Sequence, residues 1–164
     1  MDSHNQRMQA LMLGNGFAVM IIGMLSGFML TFSLLEAIDL WPIPAIPVTI
    51  PGTTRGWVAA HTGNIMNGLM VVAVALALPR LNLSGRRLAW VGWGLIATAW
   101  GNACFYVFGN LAANRALTIG DNRFGESSLA GLLGVVPALV AAVLVLIALS
   151  IAMRAAFRAA AGSE

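Results

Sequence analysis

The chain has no lysine, a single cysteine (Cys104) and a single tyrosine (Tyr106), and charged residues fill only 9% of its 164 positions. A water-soluble domain carries about 25% charged residues, so this chain lacks the polar surface to cover a soluble globule. That excludes a cytosolic enzyme and a disordered regulator. The formal charge is +3 and all nine basic residues are arginines scattered along the chain. A nucleic-acid face needs a basic cluster, so no nucleic-acid partner is expected. One cysteine excludes an internal disulfide and a multi-cysteine metal site. The long apolar stretches hold no acid and no arginine. That weighs against proton-coupled transport, in which a carboxylate within the membrane carries the proton.

What the chain has instead is apolar length. Hydrophobic residues make up 59% of it, and its mean hydropathy is +0.85. Uncharged stretches run from Met8 to Leu35, Gly56 to Pro79, Leu88 to Asn114 and Ser127 to Met153. A helix crosses the hydrocarbon layer in about 20 residues, and none of the stretches alternates as barrel strands do. The expected fold is an all-α integral membrane protein. It is one four-helix transmembrane bundle with spans over about residues 10–35, 56–79, 88–113 and 128–153. The first stretch is longer than the ~7–15-residue core of a signal peptide and is followed by no small-residue cleavage site, so it is expected to persist. Six of the nine arginines (Arg7, Arg80, Arg86, Arg87, Arg154 and Arg158) fall on one side of such a bundle. The positive-inside bias then places both termini in the cytoplasm.

The first connection carries four prolines between Trp41 and Pro51. They exclude helix, and the apolar residues among them are expected to lie over the mouth of the bundle. The connection from Asn114 to Ser127 has turn chemistry in Gly120-Asp121-Asn122 and Phe124-Gly125. Gly23-x-x-x-Gly27 reads as a close helix contact, and Trp41 and Trp57 suit the headgroup belt.

Uncharged polar groups inside spans are costly unless they are used, so they mark the candidate site. The second span holds His61-Thr62-Gly63-Asn64-Ile65-Met66-Asn67, with His61 ~8 Å inside its helix start. From position alone, His61 serves equally as a histidine bonded to a neighbouring helix or headgroup water, or as a metal or haem-iron ligand through neutral imidazole. In the third span Asn102, Phe105, Tyr106 and Gly109 share one helix face. Tyr106 lies ~12 Å from the same membrane boundary as His61. Similar depth on the same side points to a shared pocket.

These residues resemble a known family. Gly56-Trp57-Val58-Ala59-Ala60-His61-Thr62-Gly63 with Asn67-Gly68 is similar to the second span of bacterial styrene oxide isomerases. Trp100, Asn102, Phe105-Tyr106 and Asn114-Arg115-x-Leu117-Thr118-x-Gly120-x-Asn122-x-Phe124-Gly125 resemble that family's third span and outer loop. The resemblance implies a homotrimer of the bacterial inner membrane that binds haem b. Its ferric iron acts as a Lewis acid on an aryl epoxide such as styrene oxide, and the product is an aldehyde, phenylacetaldehyde, by Meinwald rearrangement. His61 matches the axial haem ligand, and Asn67 and Tyr106 match positions that hold substrate. Coupling to a styrene monooxygenase is a further implied partnership. Thr98 stands where some members carry an aspartate, so no role for a carboxylate transfers there.

Helical geometry complicates a single-chain site. Asn67 points about 120° away from His61, whereas Asn64 points only about 60° away. Either Asn64 is the group near the iron, or the haem lies between subunits, with His61 from one chain and Asn67 and Tyr106 from its neighbour; the second is adopted. Arg115, at the outer end of the third span, is expected to serve a haem propionate or to be a plain flanking arginine. Two rivals are a haem-carrying electron-transfer protein, which wants two facing histidines, and a non-enzymatic small transporter or assembly subunit.

Overall fold

In the computed structural model, which describes residues 3–161, four long helices account for most of the chain. They are α1 (Ser3–Leu35), α2 (Thr54–Leu81), α3 (Gly85–Leu111) and α4 (Leu129–Ala161). Each is long and apolar enough to cross a membrane, and the protein is a multi-pass membrane protein. The helices extend past the uncharged stretches because alanine and arginine continue a helix readily beyond the apolar layer. Thus α4 runs through Arg154 and Arg158, and α1 begins early enough to include His4.

Local chemistry sets the ends. Glu36, with φ of 50°, stops α1. Thr53 caps α2 by accepting the Gly56 N–H on its hydroxyl, and Asn82 closes α2 in the left-handed region. Only residues 82–84 separate α2 from α3, so these two run antiparallel. Helix α1 packs along α2 and α3 along α4, and the two hairpins meet chiefly where α2 touches α3.

The prolines of the first connection do exclude helix. Ala37–Ile38 (β1) pairs antiparallel with Ile46–Pro47 (β2). Only the return arm, with Val48 and Ile50 half-buried, lies against the helix ends. The tip projects away from the bundle mouth, with Trp41 93% exposed. Trp57 also differs from expectation. It is buried, and its indole N–H donates to the Pro51 carbonyl at 2.9 Å, so it anchors the connection from inside.

An apolar core fills the end of the bundle nearest the chain termini. It joins Met8 and Met12 of α1, Val71 and Ala75 of α2, Leu88, Val91 and Leu95 of α3, and Ala148 and Ala152 of α4. Lipid is as apolar as these side chains, so close packing is what holds the helices together there.

Candidate active site

The opposite end of the bundle holds the polar side chains. His61 faces α1. Its Nδ1 lies 2.8 Å from the Gly23 carbonyl oxygen, which can only accept, so Nδ1 carries the ring proton. Nε2 keeps its lone pair and makes no hydrogen bond among the described residues. An imidazole with one nitrogen tied to a backbone carbonyl and the other free is the arrangement found in metal-bound histidines. The Gly23-x-x-x-Gly27 contact expected from the sequence is therefore also the seat of His61.

The remaining residues sit on another face of α2, against α3. Asn67 Nδ2 donates to the Gly63 carbonyl at 2.8 Å, and Asn102 Nδ2 donates to Asn67 Oδ1 at 2.8 Å. The Tyr106 ring lies across Gly63, leaving no room there for a side chain, and Phe105 meets it edge-on at 5.7 Å between centroids. The Tyr106 hydroxyl has no hydrogen-bond partner among the described residues and is not enclosed. Tyr106 thus crosses α2 two residues beyond His61, at the similar depth expected, yet the two side chains meet different neighbours. Asn67 and Tyr106 are brought together, and His61 stands apart from them within one chain.

Asn64 lies in the bundle interior, 0% exposed. Its Nδ2 donates to the Ala60 carbonyl, and its enclosed Oδ1 has no partner among the described residues. Thr98 is also buried and faces α4, where its hydroxyl lies 2.7 Å from the Gly94 carbonyl and 3.2 Å from that of Ala141.

Asn110 and Asn102 were not assigned functional positions from the sequence. Asn110 Oδ1 accepts from both the N–H and the hydroxyl of Thr53, fixing the start of α2 on α3. Together with the Tyr106–Gly63 contact and the Asn67–Asn102 bond, it defines an antiparallel α2–α3 seam. The signal was available as three uncharged polar residues of α3 facing small or polar residues of α2.

The connection after α3 is built on Asn114, which is fully buried. It accepts from the Ala116 N–H and donates to the Thr118 and Gly120 carbonyls, while Asn122 donates to its backbone oxygen. This network holds Arg115 and Ala116 at φ of 56° and 52°, a region that costs non-glycine residues energy. Arg115 is exposed, with its guanidinium carbon 4.2 Å from the Phe124 ring centroid, and Arg123 approaches the same ring at 4.6 Å. Among the described residues, no three His, Cys, Asp or Glu side chains gather to hold a metal by themselves.

Four apolar helices with a histidine, paired asparagines and a tyrosine inside the bundle define a membrane-embedded protein with a polar site of its own. Residues 8–157 match the family model described as styrene oxide isomerase. The chain is also 34% identical over 140 residues to a curated styrene-oxide isomerase of Pseudomonas fluorescens, covering 85% of this chain and 83% of that protein. The chain belongs to the styrene oxide isomerase family and is an isomerase.

Proposed function

We propose that this protein converts styrene oxide and related aryl epoxides to aldehydes, giving phenylacetaldehyde from styrene oxide. The benzylic C–O bond breaks, a hydride moves from the terminal carbon to the benzylic carbon, and the oxygen becomes the aldehyde carbonyl. No atom is gained or lost. The observation that carries this reading is the family match across residues 8–157.

The donor chemistry of His61 fits haem b. A porphyrin supplies four nitrogens, so the protein needs to offer only one, and Nε2 is free to be that one. When bound, ferric haem supplies a Lewis acid that draws electron density from the epoxide oxygen without a proton. In this reading His61 would hold the iron through Nε2. The Tyr106 hydroxyl and the second N–H of the Asn67 amide orient the epoxide and donate to its oxygen as negative charge builds. Both groups are neutral, which keeps their cost within the membrane low. Phe105, Tyr106 and the surrounding apolar helices keep out water that would trap the opened epoxide as a diol.

His61 and Asn67 leave α2 in directions about 120° apart, which favours a site completed between chains. The proposed assembly is a homotrimer with haem at the subunit interface, His61 from one chain and Asn67 and Tyr106 from the next. Arg115 is proposed as a propionate partner. The protein is placed in the bacterial inner membrane with both termini in the cytoplasm, where a styrene monooxygenase would feed it substrate. An electron carrier with two histidine ligands in one chain is disfavoured, because His4 lies in the first turn of α1, roughly 29 Å along the helix from the level of Gly23.

The test is incubation of the detergent-purified, haem-loaded protein with styrene oxide. Phenylacetaldehyde is expected from the wild type and not from His61→Ala. A wild type that binds haem yet leaves the epoxide unchanged contradicts the proposal.

A further inference from the structure

We propose that Gly27 is a positioning residue for His61, the floor on which the imidazole lies and the reason its Nδ1 stays on the Gly23 carbonyl. The proposal rests on the reading of His61 as the iron ligand and adds what sets that ligand's direction.

The two glycines of the α1 contact do different work. A Cβ on Gly23 would lie 2.9 Å from Ile65 Cγ1, 3.0 Å from the Ile65 backbone nitrogen and 3.1 Å from the His61 backbone oxygen. Two of these are α2 backbone atoms, so bulk at position 23 forces the helices apart. The three atoms nearest to a Cβ on Gly27 would all belong to the His61 ring, with Nδ1 at 2.8 Å and Cε1 at 3.0 Å. Bulk at position 27 therefore strikes the imidazole first, before any α2 backbone atom. Gly23 allows α1 to approach, and Gly27 leaves room for the ring.

The neighbouring acceptors sharpen the assignment. The Ser26 hydroxyl donates to the Ile22 carbonyl at 2.8 Å, and the Thr31 hydroxyl donates to the Gly27 carbonyl at 3.1 Å. The Ile22 and Gly27 carbonyls thus already have side-chain donors, and the Gly23 oxygen receives the imidazole. With the ring held over Gly27, that bond fixes the Nδ1–H tautomer and leaves Nε2 as the basic nitrogen. A ring pushed off Gly27 loses the 2.8 Å bond. Its proton is then free to move to Nε2, where it competes with coordination.

Nitrogen-15 NMR of histidine-labelled, haem-free protein reads the tautomer directly, with His61→Ala assigning the signal. Haemin titration then reads binding. The wild type is expected to show a protonated Nδ1 and a bare Nε2 at His61. Gly27→Ala is expected to lose that pattern and to bind haemin at least about tenfold more weakly, whereas Gly14→Ala, whose Cβ would meet nothing within 4 Å, matches wild type. Combined with His61→Ala, Gly27→Ala is expected to cost no further stability, because the atoms it would strike are gone. The proposal is overturned if Gly27→Ala keeps both the wild-type tautomer and the wild-type haemin affinity. It is equally overturned if Gly27→Ala destabilises the His61→Ala background, since Gly27 would then be spacing the helices. Should haemin bind wild type and His61→Ala alike, the iron-ligand reading fails, while the tautomer comparison still decides the role of Gly27.

Discussion

Near the chain termini, Met12, Val71, Leu88 and Leu95 are fully enclosed by other apolar side chains. At the opposite end the same helices carry His61, Asn64, Asn67, Asn102 and Tyr106, and glycines rather than large side chains line the contacts. The first end gains its stability from dense packing that needs no particular chemistry. The second gives up some of that packing to hold hydrogen-bonding groups: Asn64 and Asn67 donate to carbonyls one turn back on α2, His61 to a carbonyl of α1, and Asn102 to the Asn67 side chain. What those bonds leave over includes Nε2 of His61, the Tyr106 hydroxyl and one N–H of Asn67, beside the enclosed Asn64 Oδ1 and Asn110 Nδ2, which have no partner among the described residues.

Substitutions should separate the two ends. The largest effect is expected from His61→Ala, with epoxide isomerisation falling to background while the unfolding temperature stays close to wild type; a parallel collapse in both would erase the division. Leu95→Ala in the packed end is expected to cost about 2–5 kcal/mol of stability and to leave turnover per folded molecule unchanged, as measured by denaturation and by assay below the transition. Next come Tyr106→Phe and Asn67→Ala, each expected to lower kcat/KM by about 10²-fold with the haem spectrum intact. Loss of the haem spectrum in either variant would move that residue into the cofactor's support. The smallest change is expected from Arg115→Gln. Its exposed stacking on Phe124 contributes about 0.5–1 kcal/mol, so slightly weaker haem retention and near-normal turnover of the loaded enzyme are the outcomes to look for.

The subunit-shared site can be tested within the polar end alone. Chains carrying His61→Ala and chains carrying Tyr106→Phe, inactive or nearly so separately, are expected to regain activity when co-assembled, because one interface then has both wild-type contributions. Verified mixed assemblies that stay inactive would place the whole site within one chain.

Much of this organisation was readable before any coordinates. Uncharged stretches of helical length that do not alternate give the four spans, because a helix satisfies its backbone groups within one segment in lipid. Gly23 and Gly27 announced a close contact, and His61 and Tyr106 agreed in depth. The partners of the polar groups were not readable. That His61 turns to Gly23, or that Asn102 orients Asn67, depends on helix rotation and register, and apolar residues on every side of a membrane helix leave both undetermined. Trp57 misled for a related reason. An indole near a membrane boundary satisfies its N–H equally well in the headgroup layer or on a buried carbonyl, and here Pro51 supplies the carbonyl. The exposed hairpin tip at Trp41 followed from the short β1–β2 pairing, which directs the chain outward before Val48 brings it back.

The most direct examination of the central claim is a cryo-electron microscopy map of the purified, haem-replete protein at a resolution that defines ring planes. The account predicts a tetrapyrrole whose iron meets Nε2 of His61, with Nδ1 still on the Gly23 carbonyl and a neighbouring chain's Tyr106 and Asn67 facing the opposite side of the ring. A map in which both nitrogens of His61 are bonded to protein, with no macrocycle against them, would contradict it.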